Sequence, residues 1–585
     1  MGISNALRSL TLASLALSAT ALIGCASPDQ EDDADDVEGV EEPLPANLTP
    51  GKEDGIGRRG LPVEGDYADT EAWKVKNRWE DRTTAEAKKA GMAWPVNSGL
   101  SWDEKFAKWM GSLEFVPSET SGFYQTIRIT TPWGKVLPSG KLDCADGALL
   151  LRASFAAWYN LPFMVTAGGN PTVYMGHFGA RTSAGPWASA IKIARIYKDF
   201  SATPPANLAN WPKDSRLRNM HLHGQTNGVY QDELPFYLAP GEGTGAYVDE
   251  LHLNKRAARL MMYLLAYTGS ANLADSANTF NLQPSALRTG DTLVYRRAPN
   301  GSGHTMLMLR VKDLGAGRKE AQNVFGNEPP AQLYVESPST TKRNLTNNQG
   351  GGEGLSQDNL TPYVKLGGGL KRWRVAKAIN GYWTNTWMDG DEANWIDSTD
   401  FTRLAKRPAQ FETMLGQASP TVLRDELVAQ IQLKREHLRN NPSSCSARAG
   451  REQLFDQLIA LNATNFGLNA EQVERKYRNV EDYIYAPLDY TKSRTCCWNS
   501  SSRSMHETIM KQVAAAQAMG CTEPTALKQT AGSFGVYQTY AAANMLPWGT
   551  WRADEECAST SLDDVADTSL APLLPYCSLA APPTR

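Results

Sequence analysis

The hydrophobic positions follow a helical spacing in one stretch of particular interest. Residues 139–163, SGKLDCADGALLLRASFAAWYNLPF, contain a long apolar run that is preceded by Asp143 and followed by Asn160 and Pro162. An aspartate can cap the first turn of a helix, and a proline shortly after the last turn stops it. The pattern therefore predicts a helix that begins at Cys144.

From Leu287 the hydrophobic pattern changes to a strand-like alternation. The stretch LRTGDTLVYRRAPNGSGHTMLMLRVKD predicts a Gly-Asp turn, a strand, a glycine-rich connection and a second strand that starts at His304. Residues 331–339, AQLYVESPS, offer a third strand that ends in Glu336. A helix followed by antiparallel strands indicates an α+β fold.

The chain has 585 residues, which is too long for one compact core, so more than one domain is expected. The acidic and then Pro/Gly-rich start cannot bury a core, and the end is amphipathic and helical. The predicted organisation is a signal peptide at 1–24, a disordered tether at 25–64, an α+β domain at 65–419 with an insertion at about 168–284, and a helical domain at 420–585.

The formal net charge of −4 is dominated by the tether. Nine acidic residues lie between Asp29 and Glu42, and Arg8 is the one basic residue before them, so the remaining chain carries about +4. This small excess gives no electrostatic reason to expect nucleic acid as a partner.

The N-terminus has the features of a secretion signal. Arg8 precedes the apolar run SLTLASLALSATALIG, and the following Leu22-Ile23-Gly24-Cys25 resembles a bacterial lipobox. The resemblance implies that Cys25 is lipidated and anchors the chain to a membrane, and Ala26 after it favours an outer-membrane lipoprotein on the periplasmic or cell-surface side. The alternative is an ordinary signal peptide with an incidental cysteine. No later segment approaches the roughly 18 apolar residues that a membrane span needs.

The eight cysteines divide into three groups. Cys25 is the expected lipidation site, and Cys144 stands alone in the middle of the chain. An even set of six in an exported domain predicts three disulfides with 15 possible pairings. The six are Cys445, Cys496, Cys497, Cys521, Cys557 and Cys577. By this count Cys144 is the one thiol without a partner.

Cys144 has the placement of a nucleophile. A helix N-terminus and a nearby imidazolium both favour the reactive thiolate, and the histidine base needs a third group to fix its tautomer. The chain offers Cys144 at a helix start, His304 at a strand start and Glu336 on the next strand. A helix carrying the thiol against a sheet carrying the base is the papain-like arrangement. A buried structural cysteine is the alternative.

At these residues the chain resembles the NlpC/P60 and CHAP families of cysteine peptidases and amidases. LDCADGALL is similar to their Asp-Cys helix start, and LRTGDTLVYRRAPNGSGHTMLML to their Gly-Asp strand followed by a histidine strand. The resemblance implies that Cys144 is the nucleophile, His304 the base and Glu336 the orienting residue. The gap between Cys144 and His304 is longer than in those families. DCADGALLLRASFAAWYNLPFMV also resembles the transglutaminase-like helix, which would imply acyl transfer.

Other candidate sites are weaker. His221 and His223 could ligate a metal with Asp232 or Glu233, but a His-x-His pair also arises on one face of any strand. No His-Glu-x-x-His motif is present. We therefore predict no metal site and no cofactor. Four tryptophans could stack on sugars but more often fill a core. They are Trp373, Trp383, Trp387 and Trp395.

Two functions follow from these observations. The first is a membrane-anchored cysteine hydrolase that cleaves an amide bond, with a peptide cross-link of peptidoglycan as the expected substrate because the anchor holds it near the cell wall. Transglutaminase-like acyl transfer is its rival within the same class. The second is a non-catalytic lipoprotein with a papain-like core that binds peptidoglycan or surface peptides.

Overall fold

A computed structural model describes most of the chain between Gly57 and Asp482. The described residues are 57–76, 98–120, 124–169, 171–187, 196–200, 205–222, 232–234, 236–299, 303–327, 330–356, 361–388, 390–416, 419–440, 445–479, 481–482, 511, 514–515, 518, 520 and 577.

The strands are mostly short. They are β1 (Arg58–Pro62), β2 (Glu114–Pro117), β3 (Gln125–Thr130), β4 (Val136–Pro138), β5 (Lys141–Leu142), β6 (Met164–Gly168), β7 (Val173–Gly176), β8 (Gly179–Thr182), β9 (Gly185–Pro186), β10 (Thr279–Leu282), β11 (Thr292–Arg296), β12 (Gly303–Gly315), β13 (Arg318–Phe325), β14 (Ala331–Gln332), β15 (Tyr334–Val335), β16 (Gly369–Trp373), β17 (Val375–Ile379), β18 (Tyr382–Thr386) and β19 (Trp395–Ile396).

Most of the described helices lie between β5 and β10 or after β19. They are α1 (Trp102–Ser112), α2 (Cys144–Trp158), α3 (Ser215–Arg218), α4 (Thr244–Glu250), α5 (Lys255–Tyr267), α6 (Ser270–Ala274), α7 (Pro338–Thr346), α8 (Phe401–Ala405), α9 (Arg407–Met414), α10 (Pro420–Asn440), α11 (Cys445–Asn465) and α12 (Ala470–Tyr477). The mixture of helices and antiparallel sheets confirms the predicted α+β class.

The largest sheet collects strands from distant parts of the chain. Its order is β19-β10-β16-β11-β12-β13-β15-β3-β2, with β4 paired to β3. Smaller sheets are formed by β1-β18-β17, by β5 with β14, and by β6-β7-β8-β9. Strand β10 belongs to the segment that was predicted to be an insertion, so that segment supplies part of the main sheet.

The helix predicted at Cys144 is confirmed as α2. Every residue of α2 is buried, because α5 packs on one side and the main sheet on the other. Asp143 occupies the N-cap position with an extended backbone. The run is apolar around its whole circumference, which is the pattern of a helix inside a core and not at its surface.

The two faces of the main sheet contact different sets of side chains. Val294, Leu307, Leu309 and Val324 belong to the large hydrophobic cluster that contains α2. Their neighbours along the strands belong to a second cluster, which contains residues of α7 and α9. Because successive side chains of a strand point to opposite faces, this division assigns the residues of β11 and of the regular part of β12, up to Met308, to one face or the other.

Buried ion pairs join α1, α2 and the main sheet. The Arg152 guanidinium on α2 lies 2.6 Å from the Asp103 carboxylate on α1, and both side chains are almost inaccessible to solvent. Arg288 also pairs with Asp103. In the sheet, Arg372 contacts Asp291 and Asp391, each at 2.7 Å.

The helices α10, α11 and α12 have a small hydrophobic core of their own. They are attached to the main body by polar contacts: Ser339 of α7 hydrogen-bonds Glu426, and Gln430 donates to Thr340 at 3.0 Å. Among the described residues, no helix combines the length and apolar character needed to cross a membrane.

We predict that Asp103→Leu destabilises the fold by about 3–5 kcal/mol, because it leaves the Arg152 charge buried without its partner. The double variant Asp103→Leu/Arg152→Met should recover much of this loss, since neither charge then remains. The measurement is urea unfolding of the two variants and the unaltered protein. Equal stability of the single and double variants would contradict the proposed pairing energy.

Candidate functional site

Cys144 is the first residue of α2 and is 1% exposed. Its sulfur is disulfide-bonded. The sequence-based expectation that Cys144 is the thiol without a partner is therefore wrong for this structure. A sulfur held in a disulfide is not a thiolate, so it can neither attack a carbonyl nor be activated by a histidine.

The backbone before Cys144 lies directly against the end of β13. A Cβ atom on Gly326 would lie 2.2 Å from the carbonyl oxygens of both Leu142 and Asp143, so only glycine fits there. The backbone N–H of Asn327 donates to the Leu142 carbonyl at 3.1 Å. The start of α2 is thus fixed next to the strand pair β12–β13, at the end of β12 where His304 lies.

His304 nevertheless faces away from α2. It pairs with Tyr295 across β11 and β12, and Tyr295 belongs to the cluster on the face covered by α7 and α9. The side chain of Thr305, the next residue, points to the α2 face. The alternation of the strand therefore separates the imidazole of His304 from the helix that carries Cys144.

The surroundings of His304 are apolar. Its ring lies 4.6 Å from the Phe325 ring in an edge-to-face contact, and Phe325 stacks on Tyr334. Burial, together with the positive charge of Arg297, lowers the pKa of His304 to about 3. The imidazole is therefore neutral at physiological pH and is a weak base.

Glu336 does not reach His304. Its backbone N–H donates to the carbonyl of Asn323, and Asn323 pairs with Met308, four residues along β12 from His304. At about 3.3 Å per residue and 4.8 Å per strand, the two Cα positions lie about 16 Å apart. Glu336 is thus not the residue that orients His304.

Glu336 is instead part of the contact between the main body and α10. Burial raises the pKa of its carboxyl to about 7; the nearby Glu426 carboxylate adds to this effect, whereas Arg343 and a hydrogen bond with Thr340 oppose it. Its charge state therefore depends on pH in the neutral range.

The three predicted catalytic residues do not form a triad in this structure. Cys144 and His304 lie near the same end of the sheet but on opposite faces, and Glu336 lies far along it. The sequence does not indicate on which face of the sheet the His304 side chain lies, because a shift of one residue in the strand register moves a side chain to the other face. A buried carboxyl that the sequence did not single out, Asp146, lies in the first turn of α2, and burial raises its pKa well above the usual range.

A second group of polar residues does come together. His221, Asp232 and Glu233 each offer one ligand atom within 4.8 Å of the others. His221 Nδ1 lies 3.0 Å from Asp232 Oδ1. This is part of the metal-ligand set that the sequence suggested and that we did not favour; His223, its other member, lies outside the described residues.

A surface cleft of about 430 Å³ is lined by residues that lie close in sequence to His221. Its lining combines apolar and basic side chains: Ile196, Lys198, Phe200, Pro212, Lys213, Asp214, Ser215, Arg216 and Lys255. The Asp214 carboxylate accepts backbone N–H groups of Arg216 and Leu217, at 2.9 and 3.2 Å. Lys255 is buried and paired with Asp249. The exposed basic side chains of the lining are Lys198, Lys213 and Arg216, and the Lys213 ammonium lies 3.4 Å from the Glu250 carboxylate.

The tryptophan cluster is mostly part of the core. Trp373, Trp383 and Trp387 are between 3% and 8% exposed, and Trp395 is partly buried against Trp387. Their rings pack on protein side chains, such as His177 at 4.4 Å from Trp383. The burial of these tryptophans therefore favours a role in the core over stacking on sugars.

Two of the six C-terminal cysteines, Cys445 and Cys577, lie among the described residues. Cys577 is disulfide-bonded. Cys445 begins α11, and nothing is described of its side chain. The expected lipidation site Cys25 lies outside the described residues, as do Cys496, Cys497, Cys521 and Cys557. If Cys25 carries the lipid, the partner of the Cys144 sulfur must be one of these six, so the expectation that the six form three disulfides among themselves does not agree with the disulfide at Cys144. The pairing of the other cysteines stays a prediction.

Comparisons with known proteins give no family for this chain. A scan against protein-family models, a search of curated proteins and a search of solved structures each found no match.

We predict that Glu336→Gln stabilises the fold at pH 8 but has little effect at pH 4.5. The folded-state pKa of about 7 exceeds the usual 4.5, so the folded state binds the proton more tightly and loses stability as the pH rises from 4.5 through 7. Glutamine removes this loss. The measurement is the melting temperature of both proteins at the two pH values, with the exposed Glu320→Gln as the control. If Glu336→Gln and Glu320→Gln changed the melting temperature equally at both pH values, the raised pKa of Glu336 would be contradicted.

Proposed function

We propose that this chain is an exported, lipid-anchored protein that binds an anionic peptide at the cell surface, and that its papain-like helix and sheet form a structural core. The observation that carries this proposal is the state of Cys144, whose sulfur is buried and disulfide-bonded. With His304 turned to the opposite face of the sheet, the catalytic interpretation lacks both an available nucleophile and its base.

The cleft supports the choice of ligand. Phe200 and Ile196 provide apolar walls, while Lys198, Lys213 and Arg216 place accessible positive charges around them. Asp214, the acidic residue of the lining, is occupied by backbone N–H groups. A peptide with carboxylates and an apolar side chain matches both features, because its charges meet the basic groups while its apolar part is removed from water.

The proposed location fits such a ligand. A lipid on Cys25 and an acidic tether would hold the folded part at the membrane, within reach of peptidoglycan stem peptides, which carry carboxylates. Membrane attachment would be through the lipid, and neither a cofactor nor nucleic acid is required. The localisation and the partner both rest on the N-terminal sequence and on the cleft.

A cysteine hydrolase or transferase is the second candidate. The observation that favours it is the position of Cys144 at the first residue of a fifteen-residue helix, where the helix dipole stabilises a thiolate. This function would require reduction of the disulfide and a rearrangement that brings a base to the α2 face. Both requirements can be tested with the same chemical probe.

We predict that iodoacetamide leaves Cys144 unlabelled in the folded protein purified without reductant, and labels it after reduction and unfolding. Cys144→Ala should lower stability by about 2–4 kcal/mol without loss of ligand binding, because a structural disulfide is removed. The measurements are peptide mapping by mass spectrometry and urea unfolding.

Cys577→Ala is the matched control for the loss of a disulfide, because the sulfur of Cys577 is also disulfide-bonded. Labelling of Cys144 in the unreduced protein, with an apparent pKa below about 8.5 that rises in His304→Ala, would overturn the binding proposal in favour of the hydrolase.

We predict that Lys198→Ala/Arg216→Ala weakens binding of a peptidoglycan stem peptide by about tenfold, because two charge contacts are lost. Binding to the unaltered protein should weaken as salt is raised. Calorimetry with the isolated peptide checks this. The control is Lys312→Ala/Arg318→Ala, which removes two exposed charges from the β12–β13 hairpin. Equal affinities of the two double variants would rule out the cleft.

A further inference from the structure

We propose that His221, Asp232 and Glu233 form a binding site for a divalent transition-metal ion. The sequence suggested this chemistry only weakly, and the ligand-binding proposal above does not depend on it. The site lies where the loop after α3 returns to the start of α4, and its three side chains offer one nitrogen and two oxygen ligands within 4.8 Å of one another.

The spacing between His221 and Asp232 fits a shared metal ion. Their ligand atoms, Nδ1 and Oδ1, are 3.0 Å apart. Two atoms that bind one metal at about 2.1 Å lie about 3.0 Å apart when the bonds make a right angle, and about 3.4 Å apart at the tetrahedral angle of zinc. An ion can therefore replace the proton between these atoms with a shift of the side chains of no more than about 0.4 Å.

Asp232 is held in a fixed orientation. Its other oxygen, Oδ2, accepts hydrogen bonds from the backbone N–H groups of Leu222 and Thr244, at 3.0 and 2.9 Å, and from the Thr244 hydroxyl at 2.6 Å. The ring of His221 hydrogen-bonds the backbone of Gly241. Such outer contacts orient metal ligands and reduce the cost of assembling the site.

Two further observations point to a ligand at this position. The Glu233 oxygen Oε2 is buried and has no hydrogen-bond partner within the described part of the chain. Gly243 leaves open the space beside the other two side chains: a Cβ there would lie 2.2 Å from His221 Nδ1 and 2.7 Å from Asp232 Oδ1. A buried carboxylate oxygen without a donor is costly, and a bound cation would satisfy it.

The charges at the site favour a divalent ion. Two carboxylates with a neutral imidazole carry −2, which balances the ion. The charge of Lys141 also interacts with Glu233 and Asp232, and burial lowers the pKa of Lys141. Its positive charge opposes the metal, so its removal should strengthen binding.

The ligand types favour zinc or a similar ion. Imidazole suits zinc, nickel, copper and iron, while calcium and magnesium prefer all-oxygen sites. Three protein ligands leave at least one coordination position for water, as in open zinc sites.

The test uses the full chain in its oxidised form, so that cysteine thiols do not compete for the metal. Zn²⁺ affinity is measured by competition with a chromophoric chelator, and Co²⁺ provides visible absorption bands that report nitrogen and oxygen ligation. The variants are His221→Asn, Glu233→Gln and Lys141→Met. Glu320→Gln is the control, because it removes one carboxylate from an exposed position on β13.

We expect one Zn²⁺ per chain, with affinity lowered by at least about tenfold in His221→Asn and Glu233→Gln. Lys141→Met should raise it by about threefold or more, which misfolding would not do. The control should bind as the unaltered chain does. The proposal is overturned if the chain binds no Zn²⁺, or if binding is the same in Glu233→Gln and Glu320→Gln.

Discussion

The pairing of Arg152 with Asp103 is the interaction on which the rest of the structure depends. Arg152 lies in the middle of the fully buried helix α2, and its guanidinium also packs 3.6 Å from the Trp102 ring. A charge in this position is tolerated only with a partner, so α1 must lie where Asp103 can meet it. Burial alone would raise the pKa of Asp103, but the positive charges of Arg152, Arg288 and Arg372 hold it below the usual value. The position of α2, and with it that of Cys144, follows from this network.

Buried histidines give the fold a defined response to acid. Burial lowers the pKa of His177, His252 and His437 to about 4, and His304 has the same kind of environment. Since these values lie below the usual 6.5, each group contributes stability that is lost as the pH falls below 6.5. Glu336 acts in the opposite direction. Its range, from 4.5 to about 7, overlaps that of the histidines, but four imidazoles outweigh one carboxyl, so the stability of the chain is expected to fall as the pH drops from 6.5 towards 4.

Local patterns determined which parts of this molecule could be predicted. The helix at Cys144, the strands around His304 and the α+β class follow from hydrophobic spacing and caps, which act over a few residues. The face to which His304 points, the partner of the Cys144 sulfur and the separation of about 16 Å between Glu336 and His304 depend on register and on contacts between distant segments. His221 and Asp232 were visible as residue types, but only the fold of α3 and α4 brings them to 3.0 Å.

The order of strands in the main sheet has a consequence for how the protein is made. Strand β16, near residue 370, lies between β10 and β11, while β3 near residue 127 lies towards the opposite edge. The sheet cannot form completely until the ribosome has synthesised more than two hundred residues beyond its first strand. Such non-local pairing slows folding. A chain that is slow to close its central sheet exposes unpaired strand edges for longer while it folds, so this topology makes the folding chain prone to aggregation.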